Sequence, residues 1–357
     1  MTTPEQSRET IAVREGLRLD RRPLETWLLE HLPEYAGPLR IEQFSGGQSN
    51  PTYKLITPAK RYILRRKPPG RLLPGAHAIE REARVVQALG KAGFPVARLY
   101  GVCTDDRVIG TSFYVQEYVA GRIYWDASMP GTSRERRARC FDAMNATLAQ
   151  LHQLDYRAIG LGDYGRPGNY IERQITRWSR QYETDAPDAG RDPHIERLIE
   201  WLPAHIPPGD ETRIVHGDYR IDNIMFHPEE PRVCAVLDWE LSTLGHPLAD
   251  FAYHLMMYRV PPRIVAGLVG ADLAELQIPS EADYVRAYCR RTARPGIAHL
   301  DFYVAFNMFR LAAIFHGIRG RLARGTATSA HAEEYAAGVG WMAELGWQQA
   351  RQSMSET

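Results

Sequence analysis

The stretch from Arg213 to Glu240 limits what this chain can fold into more than any other. It reads RIVHGDYRIDNIMF, a Pro-containing turn HPEEP, then RVCAVLDWE. Two apolar, β-branched runs, Arg213 to Val215 and Val233 to Leu237, are bounded by Gly217 and by the turn, the pattern of two short strands. Their polar residues therefore fall at strand ends, where rigid elements hold functional groups. A His-x-Asp-x-x-x-x-Asn loop follows the first strand, and an acid, Asp238, ends the second.

Those side chains suit phosphoryl transfer, a reaction that asks for positioning and charge neutralisation around a terminal phosphate. Asp218 stands where a carboxylate would accept the proton of an attacking hydroxyl. Asn223 offers an amide oxygen and Asp238 an anionic one to a hard divalent cation such as Mg²⁺. Singly, each has an ordinary structural explanation: a His-Gly-Asp turn, a turn cap, a helix N-cap before LSTLG. In this order, across a strand-turn-strand, they make a centre.

HGDYRIDN and LDWELSTLGHPLADFAY, together with FSGGQSNPTYKL, YILRRKPPG and FNMFRLAAIFHGI, resemble the aminoglycoside phosphotransferase and choline kinase-like enzymes. Within that family they most resemble the kinase-like portion of acyl-CoA dehydrogenase family members 10 and 11. The resemblance runs from about Phe44 to Gly320. It implies an α+β, bilobal protein-kinase-like fold, with a β-rich N-lobe over residues 1–119 and a mostly helical C-lobe over 120–357. It also implies ATP or GTP and Mg²⁺ as cofactors. The acceptor would be a small molecule with a hydroxyl, first a hydroxyacyl-CoA, with aminoglycosides, macrolides, choline and sugars as alternatives. A functional link to an acyl-CoA dehydrogenase follows from the same likeness.

The first lobe opens with a polar segment, Met1 to Glu15. DRRPLETWLLEHL then spaces Leu24, Trp27, Leu28 and Leu29 as a helix face. LRIEQF and NPTYKLI flank a Gly-rich turn in which Gly46, Gly47, Gln48, Ser49 and Asn50 are placed to cover nucleotide phosphates. The family carries a phosphate-pairing Lys on its third strand. Here the matching residue is Arg65, with Lys67 as competitor, and a guanidinium grips phosphate in a forked geometry that an ammonium lacks. Its acidic partner is Glu82 or Glu80 on the following helix. Two further strands end at Gln116, Glu117, Tyr118 and Val119, the hinge segment that resembles an adenine-binding backbone.

In the second lobe, Phe141, Met144, Leu148 and Leu151 mark one long helix, with His152 read as a packed histidine. Tyr156 to Ser179 is a Gly-, Asn- and Arg-rich segment on the acceptor side. His216 orders the catalytic loop, and Arg220 is placed to neutralise the transferring phosphoryl group. Asp250 braces that loop or is a plain first-turn acid. Tyr303, Asn307 and Arg310 recur at helical spacing as a polar stripe, either lining an acceptor pocket or forming an interior network. The last residues, QQARQSMSET, read as a frayed tail.

Basic and acidic residues nearly balance, 44 against 43, so nothing marks a nucleic-acid or membrane surface. Arg173, Arg177, Arg180, Arg310, Arg319 and Arg321 instead lean towards an anionic small-molecule partner. Cys103, Cys140, Cys234 and Cys289 are scattered and read as reduced thiols, and the N-terminus has no signal-peptide core, so the expected compartment is the cytoplasm. A nucleotide- or acyl-CoA-binding pseudokinase-like module is the competing class. A protein kinase is disfavoured because no Asp-Phe-Gly or Ala-Pro-Glu segment is present.

Overall fold

The structure, a computed structural model, describes residues 10–32, 34–45, 50–68, 78–263, 265–327 and 331–355. In chain order its elements are β1 (Thr10–Ile11), α1 (Arg21–His31), β2 (Arg40–Phe44), β3 (Thr52–Ile56), β4 (Arg61–Arg66), α2 (Ile79–Lys91), β5 (Leu99–Cys103), α3 (Asp106–Ile109), β6 (Phe113–Glu117) and β7 (Arg122–Ile123). They continue with α4 (Arg134–Gln153), α5 (Tyr170–Ala189), α6 (Pro193–Ala204), β8 (Arg213–Val215), β9 (Ile224–Phe226), β10 (Val233–Val236), β11 (Thr243–Gly245) and α7 (Pro247–Leu255). The last are α8 (Leu273–Leu276), α9 (Glu281–Arg291), α10 (Leu300–Ala323), α11 (Ala332–Ala337) and α12 (Val339–Ser355).

Two compact units result. The first comprises Met1–Tyr124, Arg157–Tyr164 and Ile224–Leu241; the second comprises Trp125–Tyr156, Gly165–Asn223 and Ser242–Thr357. Residues 224–241 join the first unit because β9 pairs both with β10 and with β7, Arg122 facing Phe226 and Ile123 facing Met225.

The main sheet of the first unit is antiparallel, in the order β1-β2-β3-β4-β6-β5. Alternation writes it: in β4, Tyr62, Leu64 and Arg66 are buried while Arg61, Ile63 and Arg65 are less so. Tyr62 and Leu64 pack with Tyr53, Leu55, Phe113 and Val115 against Leu24, Trp27 and Leu28 of α1. Leu29, expected on that helix face, is 63% exposed; at 100° per residue it falls just off the stripe. The polar segment before Glu15 holds β1, whose Thr10 Oγ1 donates to Glu42 Oε2 at 2.6 Å on the neighbouring strand.

The second unit is built on α10. Sixteen of its 24 residues are buried, the signature of a helix that is apolar on every side because neighbours surround it. Tyr182 of α5, Leu198 of α6, Ala252 of α7, and Met342 and Ala343 of α12 belong to the same core. The polar tail read as frayed continues α12 to Ser355, with Gln349 buried and accepting from Arg259 Nη1. The Gly-, Asn- and Arg-rich segment before Ser179 becomes helical from Tyr170. Among the described residues no helix is long and apolar enough to cross a membrane.

Candidate active site

Residues Val215 to Asn223 form a loop held from beneath. His216 and Gly217 both donate their backbone N–H groups to Asp250, at 2.7 and 2.8 Å. Gly217 has φ +81, a conformation that costs a side-chain-bearing residue energy and a glycine almost none. Asp250 sits in the first turn of α7, a helix begun by Pro247 and capped by His246, whose Nδ1 accepts from Leu248 N at 3.3 Å. Burial alone would raise the Asp250 carboxyl, but the hydrogen bond and charge of His152 and the contact with His216 hold it below the usual carboxylate value. His152 Nε2 lies 3.2 Å from Asp250 Oδ2, and its Nδ1 lies 2.7 Å from the Tyr288 hydroxyl. The histidine read as packing is therefore also a brace.

Above this floor, Asp218 collects donors. Tyr253 Oη donates to Oδ1 at 2.5 Å and Asn223 Nδ2 to Oδ2 at 2.9 Å. Asn223 Nδ2 also reaches the Asp218 carbonyl at 2.9 Å, which leaves the amide oxygen as the atom it can offer a cation. His216 Nδ1 accepts the Asp218 N–H at 3.1 Å. Burial pushes the Tyr253 hydroxyl well up, with the Asp218 charge adding to it, so it stays a donor.

Arg220 lies 3.1 Å from Asp218 and 3.0 Å from Asp222. Burial works against its charge, but these two carboxylates outweigh it and hold the guanidinium cationic. Its charge is engaged with the loop's own acids, where the sequence reading had aimed it at the phosphoryl group.

The polar stripe of α10 has an interior part. Arg310 Nη2 donates to the Gly217 carbonyl, and its guanidinium lies 5.0 Å over the Tyr253 ring. Asn307 Nδ2 donates to the Ala249 and Tyr303 carbonyls at 2.8 and 2.9 Å. Tyr303 stacks on His246. All three are buried and their bonds are those of an interior network, while Tyr303 also lines a small cavity of about 90 Å³ with Asn169, Asp210 and His246.

The first unit gathers the other expected residues. Arg65 on β4 lies 2.9 Å from Asp238 Oδ1, 3.3 Å from Glu82 Oε2 and 3.5 Å from Glu240 Oε2. Lys67 pairs separately with Glu80 at 2.6 Å. Both alternatives thus exist as pairs, and the more buried one is Arg65 with Glu82. Burial opposes the Arg65 charge, but Glu82, Tyr114, Asp238 and Glu240 raise its pKa above the usual arginine value. Burial pushes Glu82 up against the opposing charge of Arg65; Tyr114 Oη donates to its other oxygen at 3.1 Å.

One guanidinium among three carboxylates leaves a negative excess, and Asp238 holds φ +64, a strained backbone for a residue with a side chain. Oxygen donors with surplus negative charge fit a hard divalent cation. Among the described residues no group of three or more His, Cys, Asp or Glu is placed to hold a metal ion by itself.

Of the hinge segment, Gln116 and Glu117 end β6 and Glu117 N donates to the Arg98 carbonyl at 2.8 Å. The Tyr118 ring is covered by Lys54 and Arg61 at 5.0 and 5.6 Å, and Val119 follows it into a strandless stretch. Gly46, Gly47, Gln48 and Ser49 lie outside the described residues; Asn50 is buried. Sequence reasoning missed Tyr253, although it stands three residues after Asp250 in the same helix, one turn along the same face.

Residues 40–288 match the phosphotransferase enzyme family. The chain belongs to that family. Acyl-CoA dehydrogenase family member 10 of Mus musculus is 44% identical over 341 residues, 95% of this chain and 32% of that protein. Family member 11 of Gallus gallus is 43% identical over 346 residues, 94% of this chain and 44% of that protein. The phosphotransferase chain thus spans less than half of these curated relatives. A Ralstonia eutropha JMP134 protein assigned as an aminoglycoside phosphotransferase superposes with TM-score 0.86 at 50% identity, over 94% of this chain and 99% of that one.

Choline kinase from Cryptosporidium parvum Iowa II shares the fold at TM-score 0.63 and 11% identity, over 94% and 96% of the two chains. So does the aminoglycoside phosphotransferase APH(4)-Ia in ternary complex with AMP-PNP and hygromycin B, at 0.60 and 15%, over 94% and 100%. The chain has the protein-kinase-like fold expected from its sequence and is a small-molecule kinase.

Proposed function

We propose that this kinase transfers the terminal phosphoryl group of ATP or GTP to the hydroxyl of a hydroxyacyl-CoA. The observation that carries the reaction is Asp218, a carboxylate fixed by Tyr253, Asn223 and Arg220 on a loop anchored at two backbone N–H groups. Asp218 accepts the acceptor's hydroxyl proton, the oxygen bonds to the γ-phosphorus, and the bond to the β–γ bridging oxygen breaks, releasing the nucleoside diphosphate. Arg65, oriented by Glu82, meets the phosphates. Asn223 and Asp238 are the residues that would each offer an oxygen to Mg²⁺, and the ion would supply neutralisation of phosphate charge. His216 acts on the loop by hydrogen bonding alone.

The acceptor reading is supported by the relatives named acyl-CoA dehydrogenase family members, since a kinase joined to such an enzyme would share its thioester substrates. Four unbridged cysteines agree with a reducing compartment, the cytoplasm.

The test is ADP and GDP release with Mg²⁺ against 3- and 4-hydroxyacyl-CoAs, aminoglycosides, macrolides, choline and sugars. Turnover of a hydroxyacyl-CoA alone upholds the proposal. Turnover of an antibiotic, choline or a sugar in its place overturns the acceptor.

A further inference from the structure

Several arginines of the second unit hold a carboxylate, among them Arg191, Arg259, Arg291, Arg294 and Arg324. A cluster of four does not. Arg166, Arg173, Arg177 and Arg180 line one open groove of about 650 Å³, within the size range of small-molecule sites. Among the described residues none of them forms an ion pair. Arg173 Nη2 donates to the Arg166 carbonyl at 2.7 Å, and Arg177 lies over the Trp178 ring at 5.0 Å. The acids nearby are Glu172, which also lines the groove, and Asp210, which accepts the Asn169 N–H at 2.8 Å.

This arrangement is costly without a counter-charge. Residues 173, 177 and 180 follow i, i+4, i+7 spacing on one face of α5, so like charges are neighbours. Arg166 and Arg173 also flank the helix N-terminus, the end at which the backbone dipole favours anions and disfavours cations. Burial and then the Arg166 charge hold Arg173 below the usual arginine value. From Arg173 to Arg180 the ridge runs roughly 10 Å along the helix, at 1.5 Å per residue. That is the reach of a ligand carrying several phosphates, and too short for a polyanionic surface to need it.

We infer that the groove of Arg166, Arg173, Arg177 and Arg180 binds the phosphate groups of a nucleotide-tailed carrier, of which coenzyme A is the example. The identity of the ligand rests on the hydroxyacyl-CoA reading; the charge pattern does not. Guanidinium forks suit phosphate bidentately, and three on one helix face give a fixed ladder of them.

The experiment measures binding of coenzyme A and of adenosine 3′,5′-diphosphate by calorimetry. It compares the full chain with Arg173→Glu/Arg177→Glu, with the milder Arg173→Gln/Arg177→Gln, and with Arg286→Gln as an exposed control. Both ligands are expected to bind about tenfold or more weakly to each double variant, with the control unchanged. The KM of a hydroxyacyl-CoA should rise in step while kcat stays within about twofold, and the KM of the phosphate-free hydroxyacyl-pantetheine should not move.

Coenzyme A binding that ignores both double variants overturns the inference, as does equal displacement by inorganic sulfate. Arginine-dependent coenzyme A binding without any hydroxyacyl-CoA turnover upholds the groove and removes the acceptor reading. Hydroxyacyl-CoA turnover with an unchanged KM in both double variants does the reverse.

Discussion

Tyr253 donates its hydroxyl hydrogen to Asp218 Oδ1 at 2.5 Å, and the Arg310 guanidinium lies over the tyrosine ring, 5.0 Å from its centroid. The carboxylate is thereby aimed by a helix that it does not belong to. Tyr253→Phe keeps the packing and removes the aim. Steady-state kinetics should show kcat about tenfold lower with the nucleotide KM unchanged. A kcat at the parent value would mean that Asp218 is oriented without the tyrosine.

Asp250 is the keystone of the loop, with two backbone N–H groups and His152 bonded to one buried carboxylate. In Asp250→Asn an amide N–H₂ must face one of those donors, which breaks a charge-assisted bond and buries an unmet group. Thermal or urea unfolding should register a loss of about 2 kcal/mol or more, and turnover should fall with it. His152→Ala should weaken the same loop to a lesser degree, since it removes one contact and spares the backbone bonds.

Arg65 separates Glu82, Asp238 and Glu240. Removing it in Arg65→Ala leaves three acids in mutual repulsion, with an expected stability loss of about 3 kcal/mol or more. Arg65→Lys restores a charge but not the fork. Its nucleotide KM should rise about tenfold, and it should need more Mg²⁺ to saturate. Titrations of nucleotide at several Mg²⁺ concentrations check both.

Much of this could be read from the order of residues, because the loop and Asp238 are local features. The family resemblance narrows the strand cation to Arg65 or Lys67 and its partner to Glu82 or Glu80, and the fold holds both Arg65 with Glu82 and Lys67 with Glu80. What escaped depends on partners far along the chain. Tyr253 meets Asp218 across 35 residues and His152 meets Asp250 across 98, and no period in the sequence records such contacts. Strands β9 and β11 have three residues each, too few to show alternation. QQARQSMSET reads as a tail because it is polar, yet its residues to Ser355 end α12, where Gln349 is buried and where, a turn earlier, an added Cβ at Gly346 would come within 3.1 Å of Leu198 and Met308.

Two histidines give the fold an acid limit. Burial lowers both His254 and His246 from 6.5 to about 4. His254 is neutral between the Tyr219 carbonyl and the Tyr284 hydroxyl. A depressed histidine pKa means that the unfolded chain binds the proton first, so stability is complete above about 6.5 and is lost as pH falls towards 4. By pH 5 the loss should be about 2 kcal/mol for each histidine. Urea midpoints near neutrality and at pH 5 measure it, and His254→Gln should flatten the dependence.

On the proposed mechanism Asp218 takes the acceptor's proton. Transfer of γ-labelled phosphate from ATP to a hydroxyacyl-CoA, followed in a single turnover for the parent and for Asp218→Asn, tests it directly. The expected result is a rate roughly a thousandfold lower in the variant, with ATP affinity within about twofold of the parent. Equal rates in the two proteins would contradict it.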